Sequence, residues 1–239
     1  MVKLVVSGSL GRMGQRITQL ASEDRNFKLV SLLENPNHPQ INTQAHGLWV
    51  TSDPASLKGA QALIEFTTPE ATISNLSHCL KYGVNMVIGT TGLTEDKIKK
   101  IKTASQKIAV VYSSNMSVGV NIFFKLAKEA AQKFGIDYQF KIIEAHHIHK
   151  KDAPSGTAKT IAQVVEQGSK RKVTDIQSIR EGEIIGDHDL FFESAVDTLV
   201  IRHHAKTRDI FAKGALVAAQ FVAKKKSGLF DMQDVLGLK

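Results

Sequence analysis

From residue 3 to residue 112 the chain alternates short runs of branched apolar residues with longer stretches whose apolar positions recur at helical spacing. Strands are predicted over 3–7, 28–33, 62–66, 85–88 and 108–112, and helices over 12–22, 70–82 and 95–105. Near-continuous apolar strands separated by amphipathic helices are the pattern of a parallel sheet covered on both faces.

Beyond Val118 the rhythm changes. A long helical stretch to Phe134 is followed by a strand over 138–145, a helix after Pro154, and strands over 176–179, 190–195 and 198–203 with turn-like connections. That order predicts a second α/β domain with a mixed, largely antiparallel sheet. A last helix over 210–223 and the segment "GLFDMQDVL" close the chain, and periodicity does not say which domain receives them.

Composition adds limits. The 239 residues, 42% hydrophobic, suffice for one or two domains with a real core. The single cysteine, Cys79, lies in an apolar-periodic stretch, cannot form an internal disulfide, and suits a reducing compartment. No secretory leader and no long apolar run are evident, so a cytoplasmic protein without membrane association is expected. The net charge of +8 is dispersed among acids except at Lys224, Lys225 and Lys226, which read as a solvated helix end. Dispersed charge of this kind serves small anions better than nucleic acid.

The segment "VVSGSLGRMGQRI" places Gly8, Gly11 and Gly14 between a strand and a helix. Glycines there permit a tight turn, close approach to a pyrophosphate and tight helix packing, although G-x-x-G-x-x-G departs from the usual G-x-G-x-x-G. The second strand ends at Glu34, where a carboxylate can accept from ribose hydroxyls. Asn35 follows it and no nearby Arg or Lys awaits a 2′-phosphate, so NADH is expected to be preferred and NADPH possible. Small polar residues at other strand ends, Phe66 to Thr68, Gly89 to Gly92 and Ser113 to Met116, add to the case for a ligand, though they are also ordinary turn chemistry.

The segment "EAHHIHKKDAPSGTAKT" concentrates His146, His147 and His149 with Lys150 and Lys151. On a strand end His147 and His149 point away from His146, which disfavours three converging metal ligands, and no metal is expected. An anion-holding proton-transfer site fits better. His146 can give a proton near neutrality and Lys150 can act as a second charged donor. Pro154 would start a helix whose Ser155, Gly156 and Thr157 offer N–H groups and hydroxyls to a carboxylate.

These segments, together with "EFTTPEAT", "VIGTTGL", "SSNMSVGVN", "REGEIIGDH" and "FAKGAL", follow the order seen in the 4-hydroxy-tetrahydrodipicolinate (dihydrodipicolinate) reductase family, which the chain resembles over essentially its whole length. The resemblance implies NAD(P)H-dependent reduction of a small cyclic imine dicarboxylate in the diaminopimelate route to lysine, by a homotetramer. It implies a Rossmann-like dinucleotide-binding domain at 1–117 and 209–239, and a substrate-binding and tetramerisation domain at 118–208. By the same token His146 is the proton donor and Lys150 the second catalytic donor, while His147, Gly156 and Thr157 hold substrate carboxylates. Gly8, Ser9, Leu10, Gly11, Arg12, Met13, Glu34, Gly89, Thr90, Thr91, Ser113, Ser114, Asn115 and Met116 line the cofactor.

Departures from the family pattern are Asn35 and Thr68 where Arg is common, Met116 where Phe is common, and Glu65 where Asp is frequent. A substrate that bridges two domains implies closure about hinges near Ser117 and Arg208. Two alternatives stand beside this reading: an amino-acid dehydrogenase such as aspartate or diaminopimelate dehydrogenase, and a non-enzymatic dinucleotide-sensing nucleic-acid binder.

Overall fold

The computed structural model describes residues 1–239. Contacts divide it into two compact units: Met1–Ser117 with Phe211–Gly237 and Lys239, and Val118–Ile210 with Leu238.

The first unit starts with β1 (Val2–Ser7), α1 (Arg12–Glu23) and β2 (Phe27–Leu33). A hairpin of β3 (Gln44–Ala45) and β4 (Leu48–Thr51) and a 3-10 turn at Pro54–Leu57 follow, then β5 (Ala62–Glu65), α2 (Pro69–Tyr82), β6 (Asn85–Ile88), α3 (Glu95–Ala104) and β7 (Ala109–Tyr112). The second unit contains α4 (Val118–Ala131), β8 (Gln139–His146), α5 (Gly156–Ser169), β9 (Asp175–Arg180), β10 (Asp187–Glu193) and β11 (Thr198–His204). Then α6 (Asp209–Val222), β12 (Gly228–Phe230) and α7 (Met232–Val235) end the chain.

The first sheet has the order β12-β7-β6-β5-β1-β2-β4-β3, and every pairing is parallel except β3 with β4. Its central strands are buried along their whole length at β5 and on three of four residues at β6, because helices cover both faces. The chain proceeds from β1 to β2 on one side and later to β5 on the other, so strand order reverses beside β1. The crevice at such a reversal, beyond the carboxyl ends of the strands, is where ligands bind in sheets of this type.

Helix boundaries follow local chemistry. Thr68 caps α2 by accepting from Ala71 N, Pro69 takes the first helical position, and Gly83 closes the helix at φ 67°. Thr94 caps α3 with Glu95 and Asp96 in its first turn. By contrast α1 has Gly11 as its N-cap, with no side-chain cap and no acidic residue in its first turn, which leaves its N-terminal amides to an outside acceptor.

The tail, undecided by periodicity, adds its strand to the first sheet: Gly228, Leu229 and Phe230 pair with Ala109, Val110 and Val111. The small residues of α6 permit close packing. A Cβ at Gly214 would stand 1.7 Å from the Met116 carbonyl oxygen. The Asn85 side chain donates to Val222 O (2.7 Å) and Lys225 O (3.0 Å) and accepts from Ala109 N (2.8 Å), tying the end of α6 to β6 and β7.

In the second unit the sheet order is β11-β10-β8-β9, with β8 and β9 parallel and the other pairs antiparallel. Strand alternation sends Phe140, Ile142, Leu190 and Phe192 to the face covered by α4 and α5. Phe192 is fully buried and its ring lies 4.7 Å from that of Phe134 and 5.5 Å from that of Phe140. The opposite face carries Ile143, Ala145, Ile179, Asp187, Asp189, Arg202 and His204 around a shallow depression of about 350 Å³.

Several expectations need correction. The β3–β4 hairpin and the turn at Pro54–Leu57 were not predicted. The strand expected at 190–195 spans Asp187–Glu193, because its pairing with β8 and β11 starts at Asp187. Pro154 does not open α5: Ser155 is the N-cap, the helix starts at Gly156, and the Ala153–Pro154 bond is cis. No helix is long and apolar enough to cross a membrane.

Candidate functional site

Two groups of residues collect the chemistry, one in each unit. In the first unit Gly8 (φ 71°) lets the chain turn sharply after β1. A Cβ there would lie 2.5 Å from Phe66 O, and one at Gly14 would lie 1.9 Å from Gly8 O, so the turn between β1 and α1 admits no side chain at either position. Glu34, at the end of β2, is held by this turn: Oε2 accepts from Leu10 N (2.9 Å) and Oε1 from Asn35 N (2.8 Å).

A cleft of about 470 Å³ opens between the ends of β1, β2 and β5, with Gly8, Gly11, Glu34, Asn35, Thr68 and His78 among its walls. None of its lining residues is Lys or Arg. Arg12 and Arg16 line a second cleft, of about 560 Å³, together with Ser9, Gln15 and His46. An uncapped helix start, a backbone turn closed to side chains and a carboxylate at the end of the next strand fit the diphosphate and ribose of a dinucleotide.

The remaining residues expected at a cofactor are placed variously. Leu10 and Gly11 line the first cleft, Ser9 and Thr90 are buried, and Met13 and Gly89 are half-buried. Thr90 is committed to its own unit: its hydroxyl donates to Glu65 Oε2 (2.8 Å) and accepts from Thr67 N (2.8 Å). Thr91 is exposed. Ser113 donates to Asn115 O (3.1 Å), Asn115 Oδ1 accepts from Ser117 N (2.8 Å), Ser114 is exposed and Met116 is buried.

Glu65 was not singled out for a role. It is fully buried, and it accepts from Thr67, Thr72 and Thr90, whose hydroxyls bridge the ends of β5 and β6 and the start of α2. Burial raises its pKa against the opposing pull of those hydroxyls.

The second group is built by strand period. Glu144 and His146 lie two apart on β8 and share the helix-covered face. On the flanking strands Glu144 pairs with Ser178 and His188, and His146 pairs with Arg180, which brings all five residues to one side. Glu144 is fully buried and its Oε2 is hydrogen-bonded to His146 Nδ1. Its Oε1 accepts from Arg180 Nη2 (2.8 Å) and from Ser155 N (3.3 Å). The His188 ring meets that of His146 edge-on at 5.2 Å, and Ser155 Oγ lies 3.3 Å from His188 Nε2.

The carboxylate therefore joins β8, β9 and the N-terminus of α5. Burial alone would raise the Glu144 pKa, but hydrogen bonds from Arg180 and Ser178 and the adjacent imidazole hold it below the usual carboxylate range. Burial pushes the His146 pKa down, Glu144 pulls it back, and Lys150 and Arg180 add to the depression. His188 is pushed down to about 3, chiefly by burial and then by His146.

Of the residues singled out in the sequence, His146 is thus buried beside a carboxylate, and Lys150 is placed by the turn that follows, where Lys150 N bonds to His147 O (3.1 Å). The Lys150 ammonium pairs with Asp152 (2.7 Å). His147 is half-buried, His149 and Gly156 are exposed, and Thr157 is half-buried. Ser155 is buried and its hydroxyl caps α5 by accepting from Ala158 N (3.2 Å), so it organises the helix start from within. One ligand atom each of Glu144, His146 and His188 lies within 4.8 Å of the others. Both Glu144 oxygens already accept hydrogen bonds, one from a guanidinium, so the cluster is arranged as a proton network.

Sequence reasoning missed Glu144, Arg180 and His188. The available signal was the two-residue spacing of Glu144 and His146 on one strand face; Arg180 and His188 become neighbours only through strand pairing.

Comparison with known proteins matches residues 2–116 to the family model "Dihydrodipicolinate reductase, N-terminus" and residues 119–236 to "Dihydrodipicolinate reductase, C-terminus". The chain belongs to the dihydrodipicolinate reductase family. It is 41% identical to the 4-hydroxy-tetrahydrodipicolinate reductases of Nitrosomonas eutropha and Nitrosomonas europaea, in alignments covering 100% of this chain and 99% of each relative. The structure of dipicolinate-bound dihydrodipicolinate reductase from Paenisporosarcina sp. TG-14 superposes with a TM-score of 0.84 at 24% identity, covering 98% of both chains. It shares the fold. Family membership supports a nicotinamide dinucleotide cofactor and a small-molecule substrate, and it does not favour the amino-acid dehydrogenase or the nucleic-acid binder.

Proposed function

We propose that this chain catalyses the NAD(P)H-dependent reduction of 4-hydroxy-tetrahydrodipicolinate to tetrahydrodipicolinate, the reductive step of the diaminopimelate route to lysine, with NADH preferred. The observation that carries the reading is the junction of His146, Glu144 and the N-terminus of α5 through one buried carboxylate. It keeps a proton-carrying imidazole beside helix-start amides suited to a carboxylate.

The dinucleotide is assigned to Gly8, Ser9, Leu10, Gly11, Arg12 and Met13 at the turn into α1, with Glu34 on the adenosine ribose. Gly89, Thr90, Thr91 and Ser113 to Met116 complete its surroundings. When bound, the nicotinamide supplies the hydride. His146 gives the proton that, with the hydride, balances the reduction as the 4-hydroxyl leaves as water, and Lys150 is the second charged donor, with ammonium hydrogens beyond the one engaged by Asp152. His147, Gly156 and Thr157 hold the substrate carboxylates, and Ser155 fixes the helix start that presents them. These cationic and N–H donors stabilise negative charge that grows in the transition state.

The preference for NADH rests on charge. The cleft that contains Glu34 has no Lys or Arg, so a 2′-phosphate there would face a carboxylate without a cation. A kcat/KM ratio above one for NADH over NADPH is expected, and a ratio favouring NADPH would reverse this assignment.

A homotetramer built on the uncovered face of the second sheet, and a cytoplasmic location in keeping with the buried thiol of Cys79, belong to the same proposal. Light scattering should give four times the 26.2 kDa chain mass, and a monomer would remove the assembly from the reading. The activity itself is tested by following oxidation of the nicotinamide with the condensation product of pyruvate and aspartate semialdehyde. Oxidation that depends on that substrate is expected, and its absence with both cofactors would refute the function.

A further inference from the structure

We propose that Glu144 is the positioning residue for His146: its buried carboxylate pins the proton of the neutral imidazole on Nδ1 and leaves Nε2 as the atom that exchanges a proton with the substrate. This rests on the assignment of His146 as proton donor and goes beyond it by naming the group that sets its tautomer and charge.

The geometry allows one arrangement of protons. Arg180 Nη2 and Ser155 N both donate to Glu144 Oε1, so that oxygen is an acceptor, and the neighbouring guanidinium favours the ionised carboxylate. Oε2 of an ionised carboxylate can only accept, and its partner is His146 Nδ1. Nδ1 therefore carries a hydrogen in the neutral and the cationic ring alike, and Nε2 is where protonation changes. Beside Nε2 the chain has Gly186, where an added Cβ would come to 3.1 Å, while the His188 ring on β10 meets the imidazole edge-on.

The groups facing His146 are Glu144 on its own strand, Arg180 on β9, His188 on β10, and Lys150 in the segment after β8, itself paired with Asp152; His203 on β11 lies behind, paired with His188. Glu144 is the only one of these that meets the ring through a hydrogen bond. Burial lowers the imidazole pKa, and the Glu144 charge opposes that fall. The donor is the imidazolium, so activity should decline as pH rises through the His146 pKa. Removing the carboxylate charge must lower that pKa and move the decline to lower pH.

The test uses the full-length protein. Long-range proton–nitrogen NMR of the wild type should show neutral His146 with its hydrogen on Nδ1; a hydrogen on Nε2 would overturn the proposal. In Glu144→Gln, which retains shape and an acceptor but no charge, kcat at neutral pH should fall about tenfold to a hundredfold with KM little changed. That is less than the ~10² to 10⁴-fold expected when a general acid is removed outright. The break in its pH–rate profile should also shift to lower pH, which a purely structural defect would not produce. A wild-type rate and break position in folded Glu144→Gln would refute the positioning role. If that variant does not fold, the wild-type tautomer decides. His146→Gln separates the two levels: full activity there sinks the proton-donor assignment itself, whereas an inactive His146→Gln beside a normal Glu144→Gln sinks only the role of Glu144.

Discussion

A single missing side chain matters as much as any that is present. Gly186 puts no side chain against His146 Nε2, and an alanine there would place a methyl carbon 3.1 Å from it. Gly186→Ala should therefore lower kcat by about tenfold, since a misplacement of about 1 Å at a reacting group can cost up to 10²-fold. The overpacking should cost about 1–3 kcal/mol. Steady-state kinetics beside a thermal melt would check both, and an unchanged kcat would show that substrate reaches the imidazole by another route. Lys150→Ala should impair turnover and binding together, because its ammonium is assigned both to the substrate and to developing charge. An unchanged kcat and KM would reduce it to the partner of Asp152.

At this scale the sequence was informative where residue type carries the chemistry and silent where pairing does. The imidazole, the ammonium and the small residues that follow stand in one segment and could be read there. Arg180 and His188 lie on strands whose register brings them to Glu144, and nothing within a local window records that register.

Among the elements, α5 depends on its first residue. Ser155 caps the helix, stands against His188 and donates its N–H to Glu144, so the cap and the carboxylate that holds His146 share a residue. Ser155→Ala should cost about 1 kcal/mol from the cap and, unlike a cap on an exposed helix, should also lower activity. A melt shift without a change in kcat would separate the helix start from the site. The core that carries the second sheet is centred on Phe192, and Phe192→Ala should cost about 3–5 kcal/mol, read as a shift in denaturant midpoint.

The elements with strong period, such as β6 and α2, were legible because apolar spacing fixes them. The β3–β4 hairpin was not. Its strands are only two and four residues long, and its two-residue turn uses positive φ at His46 (51°) and Gly47 (75°). An x-Gly pair between short runs was the available cue, and it is weak when no alternation flanks it. Likewise the Pro154 misplacement arose from a general preference for proline at the first helical position, which here yields to a serine whose hydroxyl completes the cap.

For the molecule as a whole, burying His188 makes stability depend on pH. Its pKa is pushed from the ordinary 6.5 to about 3, so between those values the unfolded chain binds a proton that the folded one refuses. The stabilisation is complete above 6.5 and is lost as pH falls towards 3, by up to about 1.4 kcal/mol per pH unit for one proton. Unfolding free energies measured from pH 7 down to pH 4 should show this slope, and His188→Gln should flatten it. A wild-type curve without acid destabilisation would contradict the burial of a neutral ring.

Fold class and the parallel character of the first sheet were readable because both follow from the alternation of strands and helices. The addition of β12 to that sheet was not, since pairing between Gly228–Phe230 and β7 spans about half of the chain and leaves no periodic trace.

The central claim is that His146 is the proton donor of a nicotinamide-dependent reductase. It is tested most directly by kcat with saturating NADH and the condensation product of pyruvate and aspartate semialdehyde, in the wild type and in folded His146→Gln. A substrate-dependent wild-type rate that falls by ~10² to 10⁴-fold in the variant is expected. Equal rates in the two proteins, or no substrate-dependent rate in the wild type, would contradict it.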